Sequence, residues 1–278
     1  MKNNKTFKKY YIIGLLALGS LLLAACGNTE QSDGTKAANN NPDAKEVIIG
    51  TGNAYQPFVY LDENGQLTGY EKAVLDEVDQ LLPQYKFTYE SFEFKNILPA
   101  LDAGKVDIAA HQYEVNNERQ KKYLFGKIGY TNYTSYITVD KTSGNDFQSL
   151  DDLAGHKVHA TTGSNFAFLL EQYNQKHDRK IDIVYGDGGN EILLKNLQNG
   201  TVDAALLTAY DVNKLNKQFN AHLVTSGKPV NVSQTYFLYQ KNNTKLQKDI
   251  DQALQKLIDN GKLEELSKNI LGENFNRS

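Results

Sequence analysis

Apolar positions along this 278-residue chain fall into short continuous runs and helically spaced sets, and the two kinds alternate. Val47-Ile48-Ile49-Gly50 is a run of the buried-strand kind. Thr51 to Phe58 reads as a loop carrying Tyr55 and Pro57, and Tyr60 to Leu67 as a tight turn in which Asn64-Gly65 supplies the positive-φ positions. From Glu71 to Leu82, Val74, Leu75, Val78, Leu81 and Leu82 sit at helical spacing and predict an amphipathic helix on a sheet. Phe87 to Tyr89 predicts a strand, Phe94 to Ala103 a helix, and Asn116 or Asn117 a cap for a short helix through Tyr123. In the second half Tyr130 to Val139 alternates weakly, Leu150 to Gly155 is a turn, and Lys157 to Thr161 and Ile181 to Tyr185 are strands. Gly163-Ser164-Asn165 opens a helix with Phe166, Leu169, Leu170 and Tyr173, whose first amides have no partner within the helix. Val232 to Gln240 is a further strand, and Lys248 to Leu257 and Leu263 to Leu271 are amphipathic helices parted by Asn260-Gly261.

One stretch occurs twice. Leu101-Asp102-Ala103-Gly104-Lys105-Val106-Asp107-Ile108-Ala109-Ala110 returns as Leu197-Gln198-Asn199-Gly200-Thr201-Val202-Asp203-Ala204-Ala205-Leu206. Each copy reads as a helix stopped at a glycine and followed by a short apolar strand. The fold class is therefore α/β with two similar lobes, and ligand sites in such proteins often lie in the cleft between lobes. The strand near Tyr136 leaves the first lobe and the one from Val232 returns to it, so two hinge strands join them. The expected boundaries are 46–136 with 233–278 for lobe 1, and 137–232 for lobe 2. The segments after the two copies, His111 to Arg119 and Leu207 to Asp211, should face the cleft.

The N-terminus changes the picture of compartment. Lys2, Lys5, Lys8 and Lys9 precede an apolar run from Ile12 to Ala25, shorter than the roughly 20 residues that span a bilayer, so residues 1–25 read as a secretion signal. Cys26, the one cysteine, excludes an intramolecular disulfide and follows a small-residue run that resembles the lipobox of bacterial lipoproteins. That likeness implies cleavage before Cys26 and a lipid on its sulfur. Residues 26–45 then form the lipidated cysteine and a flexible tether with a reach of roughly 25 Å. Removing residues 1–25 takes four lysines and no acid, leaving 26 basic against 33 acidic side chains, a formal −7. Such a balance disfavours nucleic-acid binding, which needs a concentrated basic surface.

Candidate catalytic chemistry is sparse. Of His111, His156, His159, His177 and His222, only His156 and His159 are close, and on a strand that spacing puts them on opposite faces, so a metal site is not expected. Nor is there a nucleophile-elbow pattern. Gly186-Asp187-Gly188-Gly189-Asn190 reads as a turn, since no phosphate-loop lysine follows it.

Tyr55-Gln56-Pro57-Phe58, Gly65 to Glu71, Ile97 to Leu101, Gly104 to Asp107 and Glu118-Arg119 keep a recognisable order, continued by Leu150 to Gly155, Gly200 to Asp203 and Asp259 to Leu263. Over nearly all of the mature domain the chain resembles the polar amino-acid-binding lipoproteins of ABC importers, solute-binding protein family 3, which have the type 2 periplasmic binding protein fold. Ala110 to Glu114 and Tyr123 to Gly126 resemble most the cystine-binding branch. The resemblance implies Arg119 for the ligand α-carboxylate, rings of Tyr55 and Phe94 stacked on the ligand, Gln112 and Glu114 at its backbone atoms, and Asn165 as a second donor to the carboxylate. Without it, Arg119 reads as half of a surface ion pair, and Tyr55 and Phe94 as core. His111 either bonds the ligand or closes the strand end.

One departure stands out: where many members carry an aspartate for the ligand ammonium, this chain has Thr208. Glu114 replaces a small hydroxyl residue of many members, so a negative charge is expected to have moved to it, with Asp187 or Glu191 as lesser candidates; the plain alternative is a Glu114 that is solvated or paired with a lysine. The expected protein is an extracellular, lipid-anchored monomer that captures a polar L-amino acid, cystine first among them, and hands it to the membrane subunits of an ABC permease. It needs no cofactor and performs no catalysis. The competing readings are an enzyme on the same scaffold, resembling a cyclohexadienyl dehydratase with Glu114 or His111 as general acid, and a ligand-sensing surface lipoprotein.

Overall fold

In the computed structural model, which describes residues 41–187 and 189–276, the run at Val47 becomes β1 (Lys45–Thr51), a central strand of one half of a large mixed sheet. The expectations for residues 1–25, for Cys26 and for the tether up to residue 40 lie outside the described residues. After β1, the short strands β2 (Ala54–Tyr55), β3 (Val59–Leu61) and β4 (Leu67–Thr68) make a separate antiparallel sheet. In the turn that follows β3, Gly65 alone takes positive φ, at 75°, and not Asn64 as well. The reason is that Asp62 closes a longer turn, its Oδ1 accepting from the amides of Asn64 and Gln66 at 2.9 and 2.8 Å.

The first half continues with α1 (Tyr70–Leu81), β5 (Tyr85–Ser91), α2 (Phe94–Asp102), β6 (Ile108–Glu114), α3 (Asn117–Lys122) and β7 (Tyr123–Phe125). The long strand β8 (Thr131–Asp140) then leads to β9 (Lys157–Thr161), α4 (Asn165–Lys176), β10 (Asp182–Gly186), α5 (Asn190–Gln198), β11 (Ala204–Thr208) and α6 (Ala209–Phe219). Finally β12 (Leu223–Gln240) runs back, and α7 (Thr244–Asp259) and α8 (Lys262–Leu271) pack on the first half.

The strands lie in the order β10-β9-β11-β8-β12-β6-β1-β5. In each half three parallel strands put the first in sequence (β1 or β9) in the middle, the second (β5 or β10) at the edge and the third (β6 or β11) inward. Between the halves run β8 and β12, antiparallel to each other. Each half has its own apolar interior, Val47, Ile49, Val74, Val78, Phe237 and Ile250 in one and Ile137, Val158, Leu170 and Leu206 in the other. Two α/β lobes joined by two crossing strands are thus the architecture.

The repeated stretch has a common physical cause. Gly104 and Gly200, with φ of 67° and 71°, end the turns that follow α2 and α5. The aspartate three residues on then ties its strand to the middle strand of the same half: Asp107 Oδ2 accepts from the Ile48 amide at 2.9 Å, and Asp203 Oδ2 from the Lys157 amide at 2.8 Å. The backbone amide of each aspartate donates back to the carbonyl of the same residue at 2.7 Å. Each copy is therefore a clamp that sets the register of the strand carrying it, and the ends of β6 and β11 are held at equivalent places.

Candidate functional site

Strand β6 does not run straight to its end. Tyr113 faces Tyr236 of β12 and Ala109 faces Leu238, so Ala110, His111 and Gln112 all stand opposite Phe237. This bulge puts Gln112 at a φ of 50°, a left-handed backbone that a non-glycine residue takes only when its surroundings impose it. Here the imposing group is Glu71 in the first turn of α1, whose Oε1 accepts from the Gln112 amide at 3.1 Å and from the Tyr130 hydroxyl. The bulge turns the end of β6 toward a cleft of about 400 Å³, lined from both halves of the sheet.

His111 accepts at Nδ1 from the Gly52 amide at 3.3 Å, so its proton is on Nε2, and burial lowers its pKa to about 4. The imidazole is neutral at pH 7 and works as part of an aromatic wall, with ring centroids 5.6 Å from Tyr55 and 5.1 Å from Phe94. Phe94 in turn stacks on Tyr113 at 5.5 Å, and the Tyr55 hydroxyl shares a 2.8 Å hydrogen bond with that of Tyr133 on β8.

Arg119 is positioned by a cap. Asn116 Oδ1 accepts from the Arg119 amide at 2.9 Å, starting α3 and aiming the side chain back over the Tyr113 ring at 4.9 Å. Nη1 donates to the Glu114 carbonyl and Nη2 to the Gly163 carbonyl of the other half, both at 2.9 Å. The side chain is buried, and among the described residues it forms no ion pair. Burial lowers its pKa from the ordinary value without discharging a guanidinium. A buried, fork-shaped cation with spare N–H groups is suited to a carboxylate.

The opposite wall starts at α4. Ser164 Oγ accepts from the Ala167 amide at 3.1 Å, and Asn165 Oδ1 accepts from Asn116 Nδ2 across the cleft, also at 3.1 Å. Next to it is the start of α6, capped by Thr208. The Thr208 hydroxyl accepts from the Asp211 amide at 3.1 Å and donates to Asp211 Oδ2 at 2.6 Å. Asp211 Oδ1, also buried, has no hydrogen-bond partner among the described residues, and burial raises the pKa of this carboxyl while the Thr208 bonds oppose the rise.

Of the residues singled out from sequence, Tyr55, Phe94, His111, Gln112, Glu114, Arg119 and Asn165 all line this cleft. Thr208 does not line it; it stands behind Asp211 and holds that carboxylate. The second half therefore does present a negative charge, three residues beyond the position where the sequence reading found it missing. Glu114, the expected replacement, is already engaged: its Oε1 accepts from Asn231 Nδ2 at 2.6 Å and Ser233 Oγ at 2.5 Å, both on β12. Burial still raises its pKa, against the Ser233 bond and the Arg119 charge. Of the lesser candidates, Asp187 lines the cleft in an ion pair with Lys95, whereas Glu191 is exposed on α5. Tyr133, His159 and Phe166 are lining residues that sequence reasoning missed, and Asp211, at the end of a segment expected to face the cleft, was given no role. For Asp211 a signal existed, because Thr-x-x-Asp has the spacing of a helix cap whose acid reaches back to the capping residue.

The support under the bulge has a pH signature. Burial raises the Glu71 pKa from 4.5 to about 7, against the bonds from Tyr130 and Gln112. An acid whose folded pKa lies above its unfolded one binds its proton more tightly when folded, so its contribution to stability falls as pH rises between about 4.5 and 7. Glu71→Gln removes this, and the stability of the variant relative to the parent should climb by about 3 kcal/mol over that range and then level off. His111, with its lowered pKa, works with the opposite sign but is common to both proteins and drops out of the difference. Urea unfolding of the two proteins from pH 4.5 to 8 measures it.

An internally repeated α/β frame whose two halves enclose a cleft with an unpaired buried cation on one side and a partly unpartnered carboxylate on the other is the architecture of a solute-binding protein. Residues 47–273 match the bacterial extracellular solute-binding proteins, family 3, and the chain belongs to that family. It is 37% identical over 258 residues, 92% of this chain and 93% of the relative, to the L-cystine-binding protein TcyK of Bacillus subtilis (strain 168). Among solved structures, a putative L-cystine ABC transporter protein from Listeria monocytogenes superposes with a TM-score of 0.78 at 38% identity, over 84% of this chain and 99% of that one. Another, from a description of glutathione import in Gram-positive bacteria via GshT and the cystine ABC importer TcyBC of Streptococcus mutans, gives 0.74 at 26% identity, over 84% and 98%.

Proposed function

We propose that this protein captures L-cystine, or an L-amino acid of closely similar shape, in the cleft and delivers it to the membrane subunits of an ABC importer. The observation that carries the reading is the pair of opposite charges in one buried cleft, where, among the described residues, Arg119 has no ion-pair partner and Asp211 Oδ1 accepts no hydrogen bond, with Lys214 and the Tyr55 hydroxyl near that carboxylate. An amino-acid head supplies a carboxylate for the first and an ammonium for the second, and each charge left alone in a buried site is costly. Asn165 and Gln112, whose buried Nε2 also lacks a partner, add donors, and Tyr55, Phe94 and His111 supply apolar walls for a thioether or disulfide.

Capture works by closure. Residues 46–136 with 233–278 move as one lobe and 137–232 as the other about β8 and β12, and the closed form is the one the permease recognises. The bonds from Arg119 to Gly163 and from Asn116 to Asn165 are the contacts that closure makes and opening breaks. The protein acts outside the cell as a monomer, held at the membrane surface by a lipid on Cys26 after loss of residues 1–25. It binds without turnover: the neutral, ring-packed His111 is a poor general acid for a dehydratase step, and Glu114 is held against β12 by Asn231 and Ser233.

A thermal-shift and calorimetric screen of L-cystine, other polar L-amino acids and glutathione tests the reading. L-cystine is expected to raise the melting temperature most and to be recovered unchanged, with the shift growing with concentration as ligand linkage requires. Equal shifts for all amino acids, or conversion of the ligand, would refute it.

A further inference from the structure

The cleft carries a second pair of opposite charges that the capture of one amino-acid head does not use. Lys95, next to Phe94 in the first turn of α2, and Asp187, just after β10, approach to 2.8 Å between Nζ and Oδ2 across the two halves. Both line the cleft, and their side chains are 41% and 46% exposed, so they stand where it opens to solvent, whereas Arg119 and Asp211 are buried. Glu93 lies 3.3 Å from the same ammonium. The Asp187 carboxylate holds the Lys95 pKa up, and the ammonium in turn holds the Asp187 pKa down, so both are charged at pH 7. An ion pair this exposed contributes little to stability. Its position in the site calls for another account.

A cation and an anion side by side are the complement of a zwitterionic head, just as Arg119 and Asp211 are further in. A ligand made of two such heads on a short linker has a charge complement for each pair. In a disulfide-linked amino acid the two α-carbons are roughly 4–7 Å apart. Rings line the same cleft as both pairs: Phe94, beside Lys95 in sequence, and His111 have centroids 5.1 Å apart, and Tyr55 lies 5.6 Å from His111. Apolar walls match a linker without charge.

We infer that Lys95 and Asp187 form an outer subsite of the cleft that takes the distal head of a two-headed amino acid, Lys95 holding its carboxylate and Asp187 its ammonium. The ion pair they make with each other occupies the place of that head. The inference rests on the capture reading above and adds to it a basis for selectivity: ligands with one head engage the inner groups only and leave the outer pair to itself.

Two ligands and three proteins test it by calorimetry. L-cystine has both heads; S-methylthio-L-cysteine keeps one head and the disulfide and lacks the other. The parent protein is expected to bind L-cystine at least tenfold more tightly than the one-headed disulfide. Lys95→Gln and Asp187→Asn should each lower L-cystine affinity about tenfold, leave the one-headed ligand within twofold, and leave the melting temperature without ligand unchanged. Equal losses for both ligands would make the pair a latch between the halves and overturn the subsite, and so would no loss for either. If L-cystine binds the parent no better than its one-headed analogue, the outer subsite alone falls. If neither ligand binds the parent, the capture reading falls and takes the subsite with it.

Discussion

Arg119→Ala should weaken L-cystine binding by a factor of 100 or more. The guanidinium is buried with its charge unpaired among the described residues, and removing one member of a buried ion pair costs about 3–5 kcal/mol, because the partner, here a ligand carboxylate, is left without compensation. Part of the loss would be indirect, since Nη2 also bonds the Gly163 carbonyl of the other half and so favours closure. Arg119→Lys separates the two effects. It keeps the charge and loses the planar fork, and is expected to recover part of the affinity, at roughly tenfold weaker than the parent. Calorimetric titration of both variants, with circular dichroism to confirm the fold, is the measurement. Near-parental affinity for the alanine variant would remove Arg119 from the site.

Elements with strong periodicity were legible in the sequence, most of them to within a residue or two, although α7 starts at Thr244, four residues before the Lys248 expected. The helix expected from Glu71 is α1, the strand expected from Lys157 is β9, the turn at Ser164 opens α4 as expected, and of the two caps offered, Asn116 and Asn117, it is Asn116 that starts α3. The duplicated stretch was legible as a repeat, though its reason, the aspartate that clamps β6 to β1 and β11 to β9, is a hydrogen bond between distant residues and has no sequence pattern. Helix α6 escaped notice because its inward positions mix the polar Asp211 with Val212, Leu215 and the partly buried Phe219, among Asn and Lys residues, which blurs the period. The first part of β12 escaped because Gly227 and Pro229 interrupt it where its pairing to β8 shifts register between Ser226 and Asn231. The lining residues that were singled out were reached through family likeness, not through periodicity. What likeness could not supply was any contact that exists only because the halves meet, such as Arg119 with Gly163 or Lys95 with Asp187, 44 and 92 residues apart.

Thr208 shows why a position-by-position comparison goes astray at this site. The residue at the expected position has lost its charge, but its hydroxyl caps α6 and thereby fixes the carboxylate one helical turn on. The carboxylate of this half is attached at a helix start and not at the strand end where the family resemblance looks for it. Glu114, which also lines the cleft, has partners of its own. Its bonds to Asn231 and Ser233 tie the end of β6 to β12, and its carbonyl receives Arg119, so it supports the strand end from which the arginine is aimed.

From this division of labour Asp211→Asn is expected to lower L-cystine affinity by 30-fold or more, about 2 kcal/mol or somewhat above, while Glu114→Gln lowers it less than fivefold. The asparagine keeps the shape, and the backbone bond to Thr208 with it, so the loss reports the charge that would face the ligand ammonium. A pH series adds a readout that a structural role would not produce. Burial raises the Asp211 pKa when no ammonium is present, so at acidic pH part of the protein holds a neutral carboxyl that must lose its proton for the cationic group to bind. L-cystine affinity of the parent should therefore fall as pH is lowered through that raised range, with proton release on binding detectable in buffers of different ionisation enthalpy. Asp211→Asn should be weak and nearly independent of pH over the same interval, and Glu114→Gln should keep the parental slope. If instead Glu114→Gln carried the larger loss and abolished the pH dependence, the ammonium would sit on β6, and the carboxylate at the start of α6 would serve the helix alone.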